Sequence, residues 1–117
     1  MQLVQNVCCC QSIEAGESLT QFLLVGLDGK TCAEGKPALG VAEVSADKGE
    51  MATVNVLGIM VVQAGAAITV GTTLQSDDEG QVIPQGAAVA NLLPAAVGMA
   101  LDAATAAGDA IRILRGA

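Results

Sequence analysis

The order of short β-prone runs and glycine-closed turns in this chain occurs twice, and that recurrence limits the folds open to it. Gly40-Val41-Ala42 leads through a polar link to Gly49-Glu50 and the run Val54-Asn55-Val56-Leu57. Gly98-Met99-Ala100 leads through a slightly longer link to Gly108-Asp109 and Ile111-Arg112-Ile113-Leu114. Upstream, Ile13-Glu14-Ala15-Gly16-Glu17-Ser18-Leu19 is echoed by Ile68-Thr69-Val70-Gly71-Thr72-Thr73-Leu74, and each is followed by an acidic glycine turn, Asp28-Gly29 or Glu79-Gly80. Two or three short strands cannot bury both of their faces, so repeated units of this size must stack on each other. The expected fold is all-β: a small barrel or sandwich of two β units, roughly residues 12–58 and 67–116, within one domain spanning residues 12–117.

Local signals fill in the strands. Runs rich in Val, Ile, Leu and Thr, bounded by Gly, Asp and Ser, predict strands near residues 20–25, 38–44, 51–62, 68–74, 81–83 and 110–114. Gly58 inside residues 51–62 predicts a bend or bulge that divides the run into two strands. Residues 86–107 are dense in Ala, and Leu92, Leu93 and Val97 could line one helical face, while Pro94 and Gly98 limit any helix there. A short helix near residues 87–93 and a plain loop both fit. Residues 1–11 fall outside both units and form an N-terminal arm. The arm either adds as an edge strand to a neighbour or is the domain's own first strand. By exclusion, Gln2, Leu3, Val4, Gln5, Asn6 and Val7 are the candidate partner-contact residues.

Composition excludes several function classes. The apolar fraction is 52%, yet Phe22 is the one aromatic residue. A core of small aliphatic side chains lacks the large anchors of most ligand pockets, so no small-molecule substrate or cofactor is expected and any interface must work by area. The net charge is −7, and the five bases, Lys30, Lys36, Lys48, Arg112 and Arg115, are scattered. Nucleic acid is an unsuitable partner without a basic stripe or stacking residues. With no His and no Tyr the usual general bases are missing, and Asp77-Asp78-Glu79 sits in a turn where solvated carboxylates keep ordinary acidity. No catalytic residue is expected. Cys8, Cys9 and Cys10 are contiguous, so alternate side chains of a strand cannot converge on one ion, and no metal site is expected. They and Cys32 read as small part-buried hydrophobes in a reducing compartment; redox chemistry or intersubunit pairing is the other reading. The apolar windows 51–62 and 86–101 are short and interrupted by Asn55, Gly58, Asn91 and Pro94, which predicts no membrane segment. Polar Gln2, Gln5 and Asn6 after Met1 predict no secretory leader.

Two families are similar to parts of this pattern. Ala46-Asp47-Lys48 followed by Ala52-Thr53-Val54 and Gly58-Ile59-Met60-Val61-Val62 resembles biotinyl and lipoyl carrier domains, which would make Lys48 a modification site; here Gly49-Glu50-Met51 separates the Lys from the Ala-Thr pair. The closing segment, Val97-Gly98-Met99-Ala100-Leu101 through an Ala-rich link to Gly108-Asp109 and Ile111-Arg112-Ile113-Leu114, resembles the capsid cement (decoration) proteins of tailed bacteriophages. Residues 67–80 and 40–57 are similar to the preceding parts of that family's pattern. This second resemblance covers most of residues 38–116 and implies a virion protein made in the host cytoplasm. Such a protein binds the capsid exterior, commonly as a homotrimer, and clamps adjacent copies of the major capsid protein.

Overall fold

The structure of the chain, a computed structural model, describes residues 5–87 and 93–116. The described residues form no helix. Eight strands follow in order: β1 (Asn6–Glu14), β2 (Leu24–Gly26), β3 (Ala38–Ala42), β4 (Met51–Gln63), β5 (Thr73–Ser76), β6 (Val82–Pro84), β7 (Gly98–Ala100) and β8 (Ala110–Arg115).

The 13-residue β4 organises the sheet. Along one edge it pairs with β1, from Asn6 opposite Ile59 to Glu14 opposite Met51. Its other edge is shared end to end, with β3 at Val54 and Asn55 and β8 from Gly58 to Gln63. The main path runs β2-β3-β4-β8-β7-β5-β6. A parallel bridge from Ala64 to Val82, and a bond from the Leu24 N–H to the Gly80 carbonyl, draw its ends together into a nearly closed barrel. An all-β small barrel is therefore the fold.

Some local expectations are corrected. Gly58 does not divide residues 51–62 into two strands, because β1 on one edge and β8 on the other both pair there and β4 runs on through it, although an irregularity of the expected kind is present in the β1–β4 register beside it. It takes φ +113, where β4 exchanges β3 for β8 and close to two slips of β1 register between Val7 and Cys10. Of the run 20–25 only Leu24 and Val25 are strand, within β2, and of the run 68–74 only Thr73 and Leu74, within β5, since turns occupy the first part of each. Most of the stretch considered for a helix, residues 88–92, lies outside the described residues.

Backbone hydrogen bonds recur between the two halves. Phe22 N–H donates to Ala42 O as Gly71 N–H does to Ala100 O, and Gly49 N–H donates to Ala15 O as Gly108 N–H does to Ala64 O. Leu19 bridges Ala46 as Ile68 bridges Ala104. The structural counterpart of Ile68 is thus Leu19, not Ile13 as the sequence echo suggests. Phe22, at φ 68, adopts the left-handed turn conformation that Gly71 adopts at φ 86, and it is the sole non-glycine to do so among the described residues. A glycine-matched alignment slips because one of the two turns carries no glycine at that place.

The interior divides into two aliphatic clusters. Ala15, Leu19, Val25, Ala42, Ala46, Ala52 and Val54 fill the smaller. Leu24 and Val41 instead join Met60, Val62, Leu74, Ile111 and Ile113 in the larger, so β2 and β3 are buried on both faces. Close approach of β3 to β4 requires Gly40, where an added Cβ would collide with the backbone carbonyl of Asn55. The matching Gly98 meets the Leu114 carbonyl at 3.0 Å. Gly40→Ala should therefore cost about 1–3 kcal/mol through overpacking against rigid backbone. Urea denaturation should show a lower midpoint at an unchanged slope.

Candidate functional site

Of the N-terminal candidates, Gln5, Asn6 and Val7 lie on or next to β1. Asn6 and Val7 pair with Ile59 and Gly58, and the Gln5 side-chain oxygen accepts the Val61 N–H at 3.0 Å. Gln2, Leu3 and Val4 lie outside the described residues. The arm boundary drawn at residue 11 falls within β1, so the described part of the arm is continuous with the domain's own sheet. Among the described residues β1 pairs with β4 alone, which leaves its outer edge free.

The register slips of β1 have a visible consequence beneath them. Asn55 is 1% exposed, and neither of its side-chain amide atoms has a hydrogen-bond partner among the described residues. With Val7, Cys9, Cys10 and Glu43 it lines a shallow cavity of about 170 Å³. A buried amide left without any partner costs about 1–3 kcal/mol, and the open cavity beside Asn55 gives water room to supply one. Cys9 and Cys10 are exposed free thiols, contrary to the part-buried reading, because the bulged strand turns both toward solvent. Cys32 is buried, with its Sγ 3.3 Å from the Lys36 carbonyl, and burial pushes its thiol pKa up. Cys9 and Cys10 should accordingly alkylate rapidly in the native protein while Cys32 reacts on unfolding, as peptide mass mapping after a short iodoacetamide pulse would record.

The closing segment is held by two arginines that the sequence pattern shows only as alternating charges. Arg112 clamps Asp102, Nε to Oδ2 and Nη2 to Oδ1, each at 2.9 Å, and its backbone N–H donates to the same carboxylate. That guanidinium holds the Asp102 carboxyl below its usual range. Arg115 donates to the carbonyls of Val56, Val97, Ala38 and Leu39, joining β8 to β4, to β3 and to the segment entering β7. Asp109 accepts the Thr105 and Ala106 N–H groups as Glu50 accepts that of Asp47, which explains the Gly-acid pair closing each unit.

No cluster of three or more His, Cys, Asp or Glu side chains suited to a metal occurs among the described residues. Lys48 is exposed in the β3–β4 turn. No described helix is long and apolar enough to cross a membrane.

A family model described as phage cement protein matches residues 11–115. Among solved structures the chain is similar to the head fiber gp8.5 N base of bacteriophage phi29, at 25% identity and a TM-score of 0.69. That likeness covers 91% of this chain and 92% of the other. No curated protein matches.

Asp102 supplies a pH test. Its folded pKa lies below the unfolded value, so its contribution is complete above about pH 4 and is lost as pH falls through the folded value. Asp102→Asn should lower the melting temperature at pH 7 and flatten its decline in acid. Arg115→Met, which strands the carbonyls around it, should cost about 2 kcal/mol or more by urea unfolding.

Proposed function

Because the chain belongs to the phage cement protein family, and is thereby a structural protein of the phage capsid, we propose that it binds the outer surface of the head and stabilises contacts between major capsid subunits. The observation that carries this reading is the extent of the family match, which takes in residues 11–115 and so nearly the whole barrel. The head fiber likeness over almost the full length of both chains supports the same setting. A structural rather than catalytic role agrees with a chain that has no His, no Tyr and a core of small aliphatic side chains.

The mechanism is differential binding. A protein that engages only the assembled lattice stabilises it by mass action, about 4 kcal/mol per site at a thousandfold excess over Kd. Many such sites oppose expansion of the shell together. Association as a homotrimer adds avidity, since chains joined at one axis dissociate only when all let go. The capsid contact is assigned to Gln2, Leu3, Val4, Gln5, Asn6 and Val7, of which Asn6 and Val7 lie on β1, a strand whose outer edge pairs with no other strand among the described residues. An edge with unspent N–H and C=O groups can take an extended segment of the capsid protein by main-chain pairing.

Co-sedimentation with capsids stripped of this protein tests the reading. The purified chain should pellet with them and raise the temperature at which they release DNA; failure to pellet at saturating concentration would remove the cement function. Deleting residues 2–7 should abolish pelleting while the barrel still melts cooperatively, at a somewhat lower temperature because the Asn6 and Val7 pairs are lost. Undiminished pelleting of the deleted chain would move the contact elsewhere. An added mass on Lys48 in the intact protein would instead favour the carrier-domain reading.

A further inference from the structure

The alternation that keeps neighbouring side chains of a strand apart is undone at one place on β1. Cys9 lies opposite Leu57 and Cys10 opposite Asn55, so β4 advances two residues while β1 advances one. Leu57 and Asn55, two apart, sit on the same face of β4. Directly opposed residues share a face as well, so the slip carries two consecutive cysteines toward one side of the sheet. The surface agrees with this geometry: both thiols are free and exposed, and both residues line the cavity of about 170 Å³ together with Glu43 and Asn55. Asn55 is an independent sign that this corner takes up a further group. Its amide, 1% exposed, has no partner for its N–H or its oxygen among the described residues, and it lies on the face that Cys10 shares.

We infer that Cys9 and Cys10 form a redox-active dithiol site whose substrate is a low-molecular-weight disulfide. One cysteine thiolate attacks the S–S bond of that disulfide; the bond breaks, a mixed disulfide forms, and half of the reagent leaves as a thiol. The neighbouring thiolate then attacks the cysteine sulfur of the mixed disulfide, joining Cys9 to Cys10 and releasing the other half. Two electrons and two protons pass from the cysteines to the disulfide, which is reduced to two thiols. Asn55 holds an unspent N–H beneath the pair that can donate to a thiolate. Glu43 and the net charge of −7 repel anionic reagents, so a neutral disulfide is the better oxidant. The product bond is labile. Cα atoms joined by a trans peptide lie about 3.8 Å apart, closer than the roughly 4.4–6.8 Å of ordinary disulfides, so the ring is strained and easily reduced. Closure tightens the backbone of β1, whose outer edge pairs with no other strand among the described residues, so the redox state of the pair sets what that edge offers.

Intact mass and peptide mapping of the full-length native chain, fully reduced and then treated with excess 2-hydroxyethyl disulfide, test this site. Cys8→Ser, which removes the third contiguous thiol, should lose two hydrogens, with the new bond mapped between Cys9 and Cys10, and dithiothreitol should restore both thiols. Adding Cys9→Ser or Cys10→Ser to that variant should stop the reaction at the mixed disulfide, heavier by one half of the reagent. Closure in folded Cys8→Ser should be several-fold faster than in urea, where the register slip of β1 is lost. A Cys8→Ser chain that keeps both thiols as mixed disulfides, or that closes no faster folded than unfolded, would overturn the inference. Capsid pelleting plays no part in this readout, so the cement reading and the dithiol site fail separately.

Discussion

Hydrogen bonding on both edges of β4 is the constraint from which the rest of the structure follows. Nearly every residue from Met51 to Gln63 has a strand beside it, β1 on one side and β3 then β8 on the other. Satisfying those backbone groups fixes where both halves must lie, because β3 and β8 compete for one edge and meet near Gly58. The strand then serves two aliphatic clusters, with Ala52 and Val54 in one and Met60 and Val62 in the other. A small barrel without aromatic anchors gains its order from this shared strand, since its side chains, mostly Ala, Val, Leu and Ile, specify orientation weakly by shape.

Much of the fold was legible because turn chemistry and alternation are local. Glycine followed by an acid marks the end of each link, and the structure shows why: the acid accepts N–H groups of the turn that it closes. What stayed hidden depended on partners far away in sequence. Nothing near Gly58 announces that strands on both edges will keep β4 unbroken. Phe22 concealed the true alignment of the halves because it holds a backbone conformation that its residue type disfavours. The roles of Arg112 and Arg115 were equally unreadable. One clamps a carboxylate and the other gathers carbonyls from segments as distant as Ala38, so identical side chains three residues apart do different work.

Of the proposed contact residues, the sequence could place Gln2, Leu3, Val4, Gln5, Asn6 and Val7 only by exclusion. The structure ties Gln5, Asn6 and Val7 to β4, which changes the physical picture of an arm. A strand bound along one edge and free along the other is already ordered where a partner would meet it, and association there forfeits less conformational entropy than ordering a loose tail.

Duplication explains how a barrel so uniform in composition acquires distinct surfaces. The two halves do not occupy equivalent positions in this barrel, since the Leu24-Val41 stripe of the first is covered by side chains of the second. Leu24 and Val41 are interior, packed against the second half, while Thr73 and Met99, at the same places in the ladder, are exposed. The exposed face there arises from the asymmetry of stacking and needs no separate motif, which is why no local pattern in the sequence marks it. The same logic applies at Asn55, whose counterpart Leu114 is apolar and half-buried. A polar amide buried without a partner among the described residues, beneath a bulged edge strand, is the reverse of what packing alone would select.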